Sequence, residues 1–249
     1  MTSNKVSNRR FELSYFEAID SFPTYFSRSK KLNLFRGRVE RRLNPQIQKS
    51  LGVMSEENES LFTSSPKIID GNFEKISDLP NIEVVKKHLI FPQSESEWLR
   101  KKLSNLDSGM NIAVHVRRTD YINLPEIYDV VTKAYYRKAI NYFKERYGDA
   151  SFWLFSDDVT GARLYLADVI DFDKIVISPK QVPVGEILKL MSSFKGIITA
   201  NSTFSWWAAY IGYSHGITRD VILPSKFSTL SNDKPAQNFK LPDWHILEV

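Results

Sequence analysis

The sequence predicts an α/β protein whose C-terminal part is a doubly wound, mostly parallel sheet. Three observations carry that prediction. Short apolar, β-branched or aromatic runs recur at 111–116 (NIAVHV), 151–156 (SFWLFS), 174–178 (KIVIS), 196–200 (GIITA) and 220–223 (DVIL). Stretches with helical spacing lie between them, and strand alternating with helix is the pattern of parallel βαβ units. With 249 residues, 42% of them hydrophobic, the chain has the material for a sizeable core.

Each element has its own local reason. Residues 134–146 place Tyr136, Ala139, Ile140 and Phe143 at helical spacing, with charges on the other side. Residues 185–193 set Ile187, Leu188 and Met191 on one face, and 203–211 (TFSWWAAYI) are almost wholly apolar, which predicts a buried helix. Before Asn111 the pattern is poorer. There is a basic, helix-compatible region at 24–43, a polar, exposed stretch around 54–65, a short strand at 67–70 and a charged helix at 94–105. Asp107-Ser108-Gly109 reads as a linker. The expected organisation is an incomplete N-terminal α/β domain over 1–108, then a Rossmann-like domain over 109–249.

Composition removes several function classes. There is no cysteine, so disulfides, thiolate metal sites and a cysteine nucleophile are excluded. No run reaches the roughly 18 apolar residues of a membrane span, and MTSNKVSNRR lacks the apolar core of a secretory signal. The expectation is a cytoplasmic protein. Between Thr24 and Leu43 seven basic residues face one acid, Glu40, so the net charge of +5 is a local patch. Such a patch is either a solvated face or a peripheral contact with the anionic inner face of a membrane. No nucleic-acid module accompanies it.

In an open α/β sheet, ligands sit outside the carboxyl ends of the strands. After the first strand come His115, Arg117, Arg118 and Asp120; after the second, Asp157 and Asp158; after the fourth, Asn201, Ser202 and Thr203. All fall on one rim. In ITANSTFSWW a strand ends at Ala200, a cap-type residue follows (Asn201 or Ser202), and a helix begins. Its first-turn N–H groups and dipole suit a phosphate, or simply the helix's own cap. Arg117 and Arg118 are neighbours on a strand, so their side chains leave on opposite faces. One can grip a diphosphate bidentately while the other pairs with a carboxylate such as Asp120 or Asp158. A charge pair at ~4 Å and an effective dielectric near 20 is worth roughly 4 kcal/mol, or about three decades of rate when realised only in the transition state. Asp157-Asp158 could suggest a divalent metal, but a D-x-D is absent and the arginines already supply positive charge. The acids are read as hydrogen-bonding toward ribose or base, or as helix caps, with no metal. His115 is either a core histidine or a ligand contact. No Ser-His-Asp order, P-loop or G-x-G-x-x-G is present, which disfavours hydrolase, P-loop NTPase and dehydrogenase chemistry.

HVRRTDY at 115–121, YY-x-x-AI at 135–140, FSDD at 155–158, LMSSFKGIITANSTFSWWAAYIG at 190–212 and PDWH at 242–245 occur here in order. Together they resemble the bacterial α-1,2-fucosyltransferases of glycosyltransferase family 11, and the likeness reaches weakly back to RRFELSYF at 9–16. The resemblance implies a GT-B-like fold and metal-independent, inverting transfer of fucose from GDP-fucose to a galactose-containing glycan, with no cofactor. It implies that Arg117 holds the β-phosphate and that His115 and Glu186 lie near guanine. Asp157 and Asp158 would lie near the nucleoside, with Ser202 and Thr203 at the diphosphate. Asp120 and Glu126 are candidates for the base that removes the acceptor proton. Family members open with a glycine-rich G-G-L-G-N-Q segment that this sequence lacks, which leads to the expectation of a truncated N-terminal domain and impaired activity. Two rival readings are an inactive nucleotide-binding relative and a basic peripheral membrane protein.

Overall fold

The computed structural model describes residues 53–55, 68–70, 76, 82–122, 131–227 and 236–249. The chain divides into two compact units, Asp20–Leu79 in one and Met1–Ile19 with Pro80–Val249 in the other. In the smaller unit, β1 (Val53–Ser55) and β2 (Ile68–Asp70) pair in parallel, Val53 opposite Ile68 and Ser55 opposite Asp70. The strand expected at 67–70 is β2. The basic region at 24–43, the RRFELSYF run and Glu126 lie outside the described residues.

The larger unit opens with α1 (Ile82–His88) and α2 (Glu97–Leu103). The sheet then builds through β3 (Met110–Val116), α3 (Thr119–Ile122), α4 (Lys133–Tyr147), β4 (Ala150–Ser156), α5 (Val159–Tyr165) and β5 (Lys174–Ile175). It continues through α6 (Val184–Ser192), β6 (Gly196–Ile198), α7 (Thr203–Ser214), β7 (Asp220–Pro224), a 3-10 turn at Ala236–Phe239, and β8 (His245–Leu247). The order across the sheet is β5-β4-β3-β6-β7-β8, every pair parallel. That order is the doubly wound arrangement, with its topological switch point between β3 and β6. It is the α/β unit expected of the C-terminal half of a GT-B-like fold.

The pleat of β3 sorts its side chains between two cores. Ile112, Val114 and Val116 join Tyr135, Tyr136, Ala139, Ile140 and Phe143 of α4 in one cluster. On the other face Trp153 and Phe155 meet the ring of Phe194 edge-on at 5.3 and 5.4 Å, and α6 packs against α7. Helix α4 begins at Thr132, whose hydroxyl accepts from the Tyr135 N–H, and ends at Gly148 with φ 62°. That left-handed value suits glycine at the close of a helix.

The apolar helix expected at 203–211 is buried on nearly all sides, with Trp206, Ala208, Ala209, Tyr210 and Ile211 all covered. The reason is that it is clasped from outside. α1 packs on it, Trp206 Nε1 donates to Phe239 O at 2.8 Å, and Trp244 lies 5.9 Å from the Trp206 ring. At Gly212 a Cβ would come within 2.5 Å of Ser192 O and collide with the Thr218 hydroxyl, so glycine is what lets α7 approach the end of α6.

Candidate functional site

Strand register assembles the rim. β3 pairs with β4 so that His115 faces Phe155 and Val116 faces Ser156. Two further steps set Arg117 opposite Asp157 and Arg118 opposite Asp158, and both ion pairs form. Arg117 Nη1 lies 3.1 Å from Asp157 Oδ2, and Arg118 Nε 3.3 Å from Asp158 Oδ2. On the other side β3 pairs with β6, Val114 opposite Ile198. The same register continued brings Arg117 alongside Asn201, where the chain leaves β6 for α7. His115, Arg117, Arg118, Asp157, Asp158, Asn201, Ser202 and Thr203 thus converge on three adjacent strand ends, around the switch point where such sheets bind ligands.

Both arginines are held at the rim. Arg118 stacks over Tyr165 at 5.1 Å, and its partner Asp158 also caps α5 by accepting from Gly161 N at 2.9 Å. Asp157 accepts from Arg118 N at 3.0 Å, from Thr119 N at 3.2 Å and from the Thr119 hydroxyl. Burial alone would raise the Asp157 pKa. The Thr119 hydroxyl, the Arg118 N–H and the Arg117 charge outweigh it and hold the carboxyl below its ordinary value. Asp157 is therefore held by protein donors from Arg118 and Thr119 as well as by the Arg117 charge. Both arginines pair with a carboxylate, and each lies over a tyrosine ring, Arg117 over Tyr121 at 5.8 Å and Arg118 over Tyr165.

Helix α7 presents the facing half. Ser202 is its N-cap, its hydroxyl accepting from Phe204 N at 3.4 Å, and intrahelical bonding starts with Trp206 N to Ser202 O at 3.2 Å. The first-turn N–H groups at Thr203, Phe204 and Ser205 precede that bond, leaving the positive end of a 12-residue helix at the rim. Of the two cap residues the sequence left open, Ser202 is the one that caps. Asn201 is buried.

His115 is 4% exposed, on the face of β3 turned toward α7, with its ring 5.8 Å from Phe204. Its Nδ1 is buried and finds no hydrogen-bond partner among the described residues. Burial pulls its pKa from 6.5 to about 4, the Asp157 charge raising it and Arg117 lowering it further. The imidazole is neutral at physiological pH.

Glu186 sits in the first turn of α6 and is buried. Both its oxygens are engaged by Ser96, Oε1 by the N–H at 2.9 Å and Oε2 by the hydroxyl. Ser96 is also the N-cap of α2, accepting from Leu99 N at 3.1 Å. Lys189, one turn on, reaches Pro92 O at 2.7 Å and Glu95 Oε1 at 2.8 Å. Glu186 is thus half of a clasp between α2 and α6. Asp120 lies in α3, the short helix after the arginines. Among the described residues no three His, Asp or Glu side chains gather as a metal-binding group.

Sequence reasoning passed over three groups. Thr119 and Tyr121 stand inside HVRRTDY but drew no role beside the arginines. Ser96 carried a signal, a cap-type residue followed by an acidic first turn in SEWL; its Glu186 partner, 90 residues away, carried none.

The family model described as "Glycosyl transferase family 11" matches residues 93–248, which take in every described rim residue. The Escherichia coli "Alpha-1,2-colitosyltransferase" is 30% identical over 209 residues, spanning 78% of this chain and 71% of that protein. The Escherichia coli "O-antigen biosynthesis glycosyltransferase WbnK" is 28% identical over 236 residues, spanning 84% and 76%. Among solved structures, Escherichia coli ADP-heptose LPS heptosyltransferase II aligns with TM-score 0.37 at 12% identity over 69% of this chain. The Escherichia coli heptosyltransferase WaaC with ADP aligns with TM-score 0.36 at 11% identity over 67%. The chain spans about half the length of each, 47% and 48%.

Proposed function

The chain belongs to glycosyltransferase family 11, and we propose that it transfers fucose from GDP-fucose to a galactoside hydroxyl, with inversion and an α-1,2 linkage. The observation that carries the reading is the convergence of Arg117 and the N-terminus of α7 on adjacent strand ends. A bidentate guanidinium and a helix start facing one another suit a diphosphate, dianionic and becoming more so as it departs.

In this reading the acceptor oxygen attacks the anomeric carbon as the bond to the β-phosphate oxygen breaks. Arg117 and the Thr203 N–H take up the developing charge, with the Ser202 and Thr203 hydroxyls beside them. Arg118 and Asp158 hold the rim in shape. The neutral His115 offers its buried Nδ1 to the nucleoside, and no metal or other cofactor is invoked. The acceptor proton goes to a carboxylate, with Asp120 and Glu126 the candidates. The orphan Nδ1 supports the role given to His115. The Ser96 clasp leaves Glu186 with both oxygens already engaged, so its part toward guanine rests on the family likeness alone.

A second donor has an observation in its favour. The 30% identical relative is named for colitose, so GDP-colitose is the rival sugar nucleotide for the same site. Calorimetry with GDP, followed by transfer assays with GDP-fucose and GDP-colitose on galactosides, tests the set. Arg117→Lys is expected to lose tenfold or more in GDP affinity, at the scale of roughly 1.5–3 kcal/mol for a charged hydrogen bond, with its circular dichroism unchanged. Unchanged affinity makes Arg117 structural and removes the proposal. Uptake of GDP without transfer of either sugar points to an inactive nucleotide-binding relative.

A further inference from the structure

Arg117 and α7 belong to different strands' loops, and one side chain touches both. Tyr121, the last residue of HVRRTDY, is 8% exposed and lies in α3. Its ring lies under the Arg117 guanidinium at 5.8 Å, and its hydroxyl donates to Asn201 O at 2.7 Å. Asn201 immediately precedes the Ser202 cap of α7. Two more tyrosines hold nearby strand ends: Tyr136 donates to His115 O at 2.9 Å, and the Tyr135 hydroxyl lies 2.8 Å from Thr199 O and 3.0 Å from Ile222 O. Those two sit in the core of α4 and bond backbone carbonyls near the rim. Tyr121 joins a rim side chain, Arg117, to the segment before α7.

We propose that Tyr121 is a positioning residue of the donor site, fixing the separation between the Arg117 guanidinium and the N-terminus of α7. The inference rests on the diphosphate reading above. Its physical basis is that an arginine has several rotatable bonds and a loop carbonyl has none of the sheet's ladder bonds. A rigid ring with one polar end restrains both at once. A phosphate pair spanning the two halves would feel any slack between them, since a fixed cradle carries no reorganisation cost when the ligand arrives. Tyr121→Phe keeps the ring beneath Arg117 and removes the hydroxyl's bond to Asn201 O.

The test compares GDP with GMP by calorimetry. Wild-type protein is expected to bind both, GDP more tightly. Tyr121→Phe is expected to lose about fivefold to tenfold in GDP affinity, the scale of one hydrogen bond, and less than about twofold in GMP affinity. Its donor KM should rise by a similar factor while its acceptor KM stays put. Tyr121→Leu, lacking the ring as well, should lose a further several-fold on GDP. A purely structural tyrosine would lower both nucleotides by one factor; that result, or no change in GDP affinity with Phe at 121, overturns the inference and leaves the diphosphate reading intact. Wild-type protein that ignores GDP overturns both.

Discussion

Lowering the pH from 7.5 to 5.0 is expected to cost this fold about 2 kcal/mol through His115 alone. The imidazole is buried in β3, and that burial is the first cause that brings its pKa from 6.5 to about 4. Since the folded-state value is depressed, the unfolded chain binds more protons at every pH between the two. The stabilisation is complete above 6.5 and is lost as the pH falls through about 4. At 1.36 kcal/mol for each unit the full loss approaches about 3 kcal/mol, of which about 2 kcal/mol has gone by pH 5.0. Urea unfolding of wild type and His115→Gln at the two pH values isolates the effect, because the carboxylates common to both largely cancel. Wild type should lose about 2 kcal/mol more than the variant. The imidazole signals of the wild-type protein give an independent reading, with the His115 ring still neutral at pH 5.0. Equal pH slopes, or a His115 ring that titrates near 6.5, would refute the argument from burial.

Three further outcomes follow from packing and capping. Gly196→Ala places a Cβ 2.5 Å from Ile112 Cδ1 and 2.6 Å from Phe143 Cε1, so β6 or those side chains must shift; an overpacking loss of about 1–3 kcal/mol is expected in urea unfolding. Ser96→Ala removes the α2 cap and one donor to the buried Glu186 carboxylate. About 1–3 kcal/mol should go by the same measurement, and Ser96→Thr should recover most of it. Asp158→Ala loses the α5 cap and the Arg118 pair together. About 1–2 kcal/mol of thermal stability should follow, against less than half that for Asp158→Asn, which can still accept from Gly161 N.

What was legible and what was not divides along a physical line. Among the described residues five of the six strands of the larger unit could be read from their apolar runs, because strands such as β3, β6 and β7, buried on both faces, need apolar residues throughout. β8 escaped: His245, Ile246 and Leu247 are exposed or half-buried, so three residues left no pattern. α5 escaped as well. Its buried side is little more than Ala162, while Leu164 is 72% exposed, so no clean helical period survives. The expectation that one arginine pairs with a carboxylate while its neighbour stays available for an anion holds in part. Arg118 takes Asp158 as foreseen, but Arg117 also finds a partner, in Asp157. That second pair depends on β3 and β4 lying side by side in register, which no single segment encodes.

The sequence by itself placed the chemistry at carboxyl ends: two arginines, two aspartates and a capped helix start, although β6 closes at Ile198, two residues before the expected Ala200. Periodicity, caps and apolar runs are properties of neighbouring residues, so they survive without a fold. Only the tertiary structure decided which ends are neighbours. The strand order puts β3 between β4 and β6, and that choice gives Asp157 to Arg117 and brings Tyr121 to Asn201, next to the α7 cap. It also spent Glu186 on Ser96, a partner from outside the sheet. Contacts between distant segments depend on the packing of whole elements, and the same local patterns in another strand order would have made a different rim.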